Sequence, residues 1–190
     1  MLSGANEPDY STISWEPLKR GGASFKTHHL IKTGPGRLEY KPTTFYRIMP
    51  YFLIVVGLIA GGAIFNSTSY VFGLAFGLIF IGAGSLIAKQ ANKPIIFDKG
   101  EGYFWKGKQS PRDVLNMHDI KTYADLDDIH ALQVVDELVK SDKSSFHSYE
   151  INLVLKNGER VNVVDYGNKE AINEDLQVLR NYLDVGVWRK

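Results

Sequence analysis

The chain of 190 residues carries 22 Lys and Arg against 21 Asp and Glu, for a net charge of +1, and has no cysteine. That balance argues against a nucleic-acid partner, since no strongly basic domain or stripe is present. The absence of thiols excludes a disulfide framework and a thiolate site, and fits a reducing compartment.

Residues 1–11 read as a flexible N-terminus of small and acidic residues. They lack the charged region followed by an apolar one that marks a cleavable signal peptide, so the first membrane span is expected to serve as its own signal. Thr12 to Leu18 and Ser24 to Thr33 alternate apolar and aromatic residues with polar ones, which predicts two strands separated by Lys19, Arg20, Gly21 and Gly22. Gly34, Pro35 and Gly36 predict a turn, Arg37 to Lys41 a further strand, and Pro42 its end. Residues 12–47 are therefore expected to supply the N-terminal strands of a cytoplasmic domain too small to stand alone, with the C-terminal part of the chain as partner.

Residues 48–89 predict a transmembrane helical hairpin. Its apolar runs, Met49 to Phe65 and Tyr70 to Ala88, hold about 17 and 19 residues without a charge, close to the roughly 20 that cross a bilayer. Asn66, Ser67, Thr68 and Ser69 allow only a tight connection, so the helices are expected to be antiparallel. Gly57 and Gly61, and again Gly73 and Gly77, repeat at the small-xxx-small spacing that lets helix backbones approach. This pattern predicts a tightly packed hairpin, or a surface for homo-oligomerisation or for another membrane protein; ordinary glycine richness of membrane helices is the alternative. No ionisable residue interrupts either run, so a pore or transport pathway would need several copies. Lys19, Arg20, Lys26, Lys32, Arg37, Lys41 and Arg47 precede the first span, and Lys89, Lys93, Lys99, Lys106 and Lys108 follow the second. By the positive-inside rule both termini are expected in the cytoplasm, on the inner face of a bacterial plasma membrane.

Residues 93–190 are expected to form the main part of the cytoplasmic α+β domain. Pro94 to Phe97 and Tyr103 to Lys106 predict a hairpin around Asp98–Gly102, while Gln109 to Asp128 shows no clear period. Ile129 to Val139 fits a helix face or a strand, and a strand is expected. Tyr149 to Leu155 and Arg160 to Tyr166 predict strands joined at Asn157 and Gly158, with Ile151, Leu153 and Leu155 facing the core. Asn168 is expected to cap a helix reaching Leu183, whose inner face is Ile172, Leu176, Leu179 and Leu183. The total is about seven strands and a closing helix.

In its layout the chain resembles the bacterial membrane proteins that carry a PH-like domain. The resemblance lies in Ile96, Phe97 and Asp98 through Gly102, Tyr103, Phe104 and Trp105 just after the spans, in the later run Ile129 to Glu137, and in the terminal helix. It implies an antiparallel sheet domain that binds or regulates a protein partner, not an enzyme, and implies no ligand residues.

The residues themselves suggest no cofactor and no catalytic set. His28, His29, His118, His130 and His147 lack the spacing of a zinc site, and adjacent His28 and His29 would face opposite sides of a strand. Asp125, Asp127 and Asp128 read either as a solvated loop or as a cation or acid–base cluster, without the pattern of a calcium loop. Lys19, Arg20, Lys26 and Lys32 are candidate contacts for anionic lipid headgroups, though the positive-inside bias accounts for them equally. Trp15, Phe25, Tyr103, Phe104 and Trp105 are expected to be core aromatics. The expected function is thus non-catalytic: holding or regulating a protein partner at the bilayer, a protective or immunity role being one special case. An oligomeric pore or transport component and a membrane-bound enzyme are the alternatives.

Overall fold

The computed structural model describes residues 9–67, 69–116, 119–141 and 144–190, which divide into two compact units. Lys41–Lys93 form one of them, and the residues up to Tyr40 together with Pro94–Lys190 form the other. Most of the expected flexible N-terminus, as well as Thr68 and His118, lies outside the described residues.

The first unit is a helical hairpin, α1 (Thr44–Ser67) and α2 (Tyr70–Ala91). Asn66 and Ser67, expected in the connection, instead belong to the last turn of α1. Their side chains donate to the carbonyls of Gly62 and Ala63, at 2.9 and 2.8 Å, so both polar groups are satisfied within the helix. Both helices are long and apolar enough to cross a membrane, and only 17% and 11% of their most apolar windows is buried within the chain. The apolar surface left exposed includes Phe52, Ile59, Phe72 and Leu86, far more than an ordinary soluble helix presents to water.

The second unit is α+β. One sheet has the order β1 (His28–Gly34), β2 (Arg37–Pro42), β3 (Ile95–Asp98), β4 (Tyr103–Lys106), β5 (Tyr123–Asp125). The other has the order β8 (Arg160–Tyr166), β7 (Ser145–Leu155), β6 (Ile129–Lys140), β9 (Gly186–Arg189). Antiparallel ladders join β2 to β3, β3 to β4, β4 to β5, β6 to β7 and β7 to β8, whereas β6 and β9 run parallel. The β2–β3 register, Arg37 opposite Asp98 and Tyr40 opposite Ile95, joins segments separated in sequence by the whole apolar hairpin. Ion pairing of Arg37 with Asp98 at 3.0 Å closes one end of that ladder.

Local chemistry fixes the turns. Asp98 Oδ1 accepts the amides of Gly100 and Glu101, and Gly102 takes a φ of 81° that few other residues would tolerate. At Asn157–Gly158 only the glycine has positive φ, while Asn157 Oδ1 accepts the Glu159 amide at 2.9 Å. Helix α3 (Lys169–Leu183) starts at Asn168, whose side chain accepts the Ala171 amide at 2.7 Å, and ends in left-handed Asp184. Its inner face, Ile172, Leu176 and Leu179, is buried in one core with Leu38 and Phe97 of the first sheet and Ile151 and Leu153 of the second. Leu183 is half-buried at the rim.

Two further expectations fail. Thr12 to Leu18 is not a strand: Tyr10–Thr12 form a 3-10 turn, and residues 13–22 cross the second sheet without joining a ladder. The cause is that β6 and β7 already pair with each other, and Pro17 has no amide to offer. The expected strand from Ser24 begins only at His28, after a single parallel bridge between Ala23 and Tyr166. Conversely, β5 and β9 are strands for which no alternation was apparent, each being only three or four residues long.

Candidate interaction surface

Strand β7 carries Ser148, Glu150 and Asn152 at every second position, a pattern that ordinarily marks a solvent face. All three are nevertheless buried, as is Gln133 on β6. What covers them is the segment 13–27, which lies over this face as a strap.

The sheet holds the strap mainly by its main chain. Gln133 Nε2 donates to the Ser14 carbonyl at 3.1 Å, and Arg160 Nη1 donates to the Glu16 carbonyl at 2.9 Å. Arg160 also donates to Gln133 Oε1 at 3.0 Å, which orients the amide. The Glu150 carboxylate accepts the amides of Leu18 and Lys19 at 2.9 and 2.8 Å, together with the Asn152 side-chain amide at 2.5 Å. A buried carboxylate is costly unless it is hydrogen-bonded, and these three donors supply partners to both of its oxygens. Further along, Glu137 accepts the Gly21 amide at 3.1 Å. Gly22 then passes so close to Ser148 that a Cβ there would collide with the serine hydroxyl and stand 3.0 Å from its Cβ. Just ahead of the strap, Tyr10 stacks on His130 with ring centroids 3.9 Å apart, and the Trp188 ring stands edge-on to both.

Of the four candidate headgroup residues, Lys19, Arg20 and Lys26 lie on the strap. Lys19 faces Asp165 at 3.7 Å and Arg20 faces Glu16 at 3.7 Å. Lys26 is half-buried, and its charge helps offset the burial that pushes the Asp175 carboxyl upward. Lys32 is exposed on β1.

The four glycines line the contact between α1 and α2. A Cβ on Gly57 would stand 2.7 Å from Phe80 Cβ, and one on Gly61 2.9 Å from Gly77 Cα. Gly73 packs against the Phe65 backbone, and Gly77 against the Gly57 carbonyl. Gly84, seven residues beyond Gly77, extends the seam against Pro50 and Ile54. These pairings run in opposite senses along the two helices, as an antiparallel hairpin requires.

Other polar groups singled out in the sequence make contacts within the fold. Asp125 Oδ1 caps the short turn at Asp127, and the Asp128 carbonyl accepts the Lys156 amide, so this acidic cluster organises a corner. No group of three or more potential metal ligands occurs among the described residues. Tyr166 donates to buried Asp175, and burial, reinforced by the charge of that carboxyl, raises the Tyr40 hydroxyl well above its ordinary range. The Tyr166–Asp175 bond ties α3 to β8 inside the core. Of the five aromatics expected in a core, Phe104 and Trp105 are buried and Trp15, Phe25 and Tyr103 half-buried. His28 is buried next to Thr27, and desolvation, reinforced by the charge of Lys106, pushes its pKa down to about 4.

Strands β6 and β7 also outrun their neighbours. β9 pairs with β6 only over Ala131–Val134, and β8 with β7 only from Tyr149 onward. The remainder is a two-stranded ribbon with Leu138 opposite His147 and Val139 opposite Phe146. Leu138 is 45% exposed, and beside it His147 Nδ1 meets Asp136 Oδ1 at 2.6 Å. The polar set under the strap escaped sequence reasoning because its period matches a wet strand face, and the ribbon escaped because overhang depends on partners remote in sequence.

No protein-family model matches this chain and no curated protein matches it.

Proposed function

We propose that this chain is a non-catalytic two-span protein of a bacterial inner membrane, both termini cytoplasmic, whose PH-like sheet domain holds or regulates a protein partner at the bilayer. The observation that supports this reading is the β6–β7 ribbon, which presents Leu138 and the half-buried Val139 and Phe146 beyond the sheet. An apolar side chain held on a paired ribbon loses little conformational freedom when it docks, so its burial contributes to affinity at low entropic cost. The hairpin supports the anchoring half of the proposal through its length, its lack of internal charge and the lipid-like surroundings its exposed side chains require.

The test is purification from the native membrane of wild-type protein and of Leu138→Asp, with co-purifying proteins quantified by mass spectrometry. A stoichiometric protein present with the wild type and depleted with the variant is expected. Recovery of self-associated chains alone would contradict the proposal and favour an oligomeric pore.

A further inference from the structure

We infer that the polar face of β6, β7 and β8 is a groove for an extended, basic, glycine-bearing protein segment, and that the strap occupies it in cis. This deepens the partner-binding reading and rests on it.

Three observations carry the inference. The contacts from Gln133, Glu150, Glu137 and Arg160 are made to Ser14, Glu16, Leu18, Lys19 and Gly21 through carbonyls and amides, which any extended chain offers. Charge sets the preference, because the floor presents Glu137, Glu150 and Asp165 against Arg160, and the strap answers with Lys19 over Asp165. The strap is also an imperfect occupant: Ser148 Oγ and Asn152 Oδ1, on side chains that are 2% and 0% exposed, find no hydrogen-bond partner beneath it. A segment that supplied donors there would gain bonds that the strap forgoes. Glycine is favoured over Ser148 because a Cβ at position 22 would displace the serine hydroxyl and press on its Cβ at 3.0 Å.

The strap itself is built to leave. It has no ladder beyond the bridge at Ala23, and Leu18 stays 45% exposed above the groove. A groove that is open for only a fraction of the time binds a competitor with an affinity reduced by that fraction, so displacing the strap raises the affinity.

The experiment uses the full chain in nanodiscs and a fluorescein-labelled peptide with the sequence of residues 10–23, read by fluorescence polarisation. Gly22→Val unseats the strap and leaves the floor intact. Binding to this variant is expected to be about tenfold tighter than to wild type, the occupancy tax having been removed. Adding Glu150→Gln, or replacing Lys19 and Arg20 of the peptide by Glu, should abolish the gain. Equal affinity of the peptide for wild type and Gly22→Val would overturn the inference. Hydrogen exchange on the wild-type chain gives a reading that does not depend on the variant folding: the amides of Leu18, Lys19 and Gly21 should exchange faster than the β6–β7 ladder. Exchange as slow as the ladder would overturn it. So would strap release driven by anionic nanodiscs and not by peptide, which would assign Lys19 and Arg20 to headgroups. A partner recovered through the ribbon while the peptide assay fails would sink the groove alone, leaving the anchoring proposal standing.

Discussion

His28 is the residue at which pH and stability meet. Its folded-state pKa of about 4 lies below the ordinary value of 6.5, first because of burial and then because of Lys106. A base whose folded pKa is depressed is neutral in the native protein while the unfolded chain takes up a proton. Stability is therefore complete above the unfolded value and declines as pH falls from about 6.5 toward 4, by about 3 kcal/mol in total at 1.36 kcal/mol per pKa unit. Asp175 works in the opposite direction, since a raised carboxyl favours protonation of the folded state. The His28 contribution is isolated by comparing urea unfolding of wild type and His28→Gln, followed by the fluorescence of buried Trp105. Wild type should lose stability faster than the variant between pH 7 and pH 4.5, and parallel losses would contradict the assignment.

At the scale of elements, the glycine seam gives the hairpin its geometry. A side chain on Gly61 would meet Gly77 Cα at 2.9 Å and the Gly73 carbonyl at 3.0 Å, whereas Gly62 faces open space. Forcing bulk into a closed contact typically costs about 1–3 kcal/mol. Gly61→Leu should thus lower the thermal midpoint of the detergent-solubilised protein while Gly62→Leu leaves it unchanged. Equal effects would mean that the seam does not hold the helices. In the sheet unit, β2 contributes Leu38 and Tyr40 to the core, and residues 13–27 cover the polar face of β6 and β7. Residues 93–190 expressed alone should consequently lack a cooperative unfolding transition, whereas a folded, cooperative fragment would show the N-terminal segments to be dispensable.

For the molecule as a whole, what could be read from sequence followed a physical line. Elements whose partners are local were legible: the Asp98–Gly102 and Asn157–Gly158 hairpins, the capped helix ending near Leu183, and the two apolar helices. Long-range coverage was not. Ile13, Trp15 and Pro17 alternate with polar residues as a strand would, yet their segment is held by Glu150 and Gln133 across the face of a sheet. By the same logic Asn152 and Val154, on the side of β7 opposite to Ile151 and Leu153, are buried although alternation placed them in solvent. Alternation reports that two faces differ, not what covers either of them. At the surface site, Lys19 was legible as a charge, but its carboxylate neighbour Asp165, far along the chain on β8, became apparent only once the strap was placed.

The central claim is a membrane anchor with its sheet domain on the cytoplasmic side. The chain has no cysteine, so single cysteines report without background. The most direct measurement is labelling of Asn66→Cys, at the end of α1, and Leu115→Cys, fully exposed in the sheet unit, by an impermeant maleimide on intact spheroplasts. The account predicts that position 66 is labelled from outside and position 115 only after permeabilisation. Labelling of both without permeabilisation, or recovery of the chain in the soluble fraction, would contradict it.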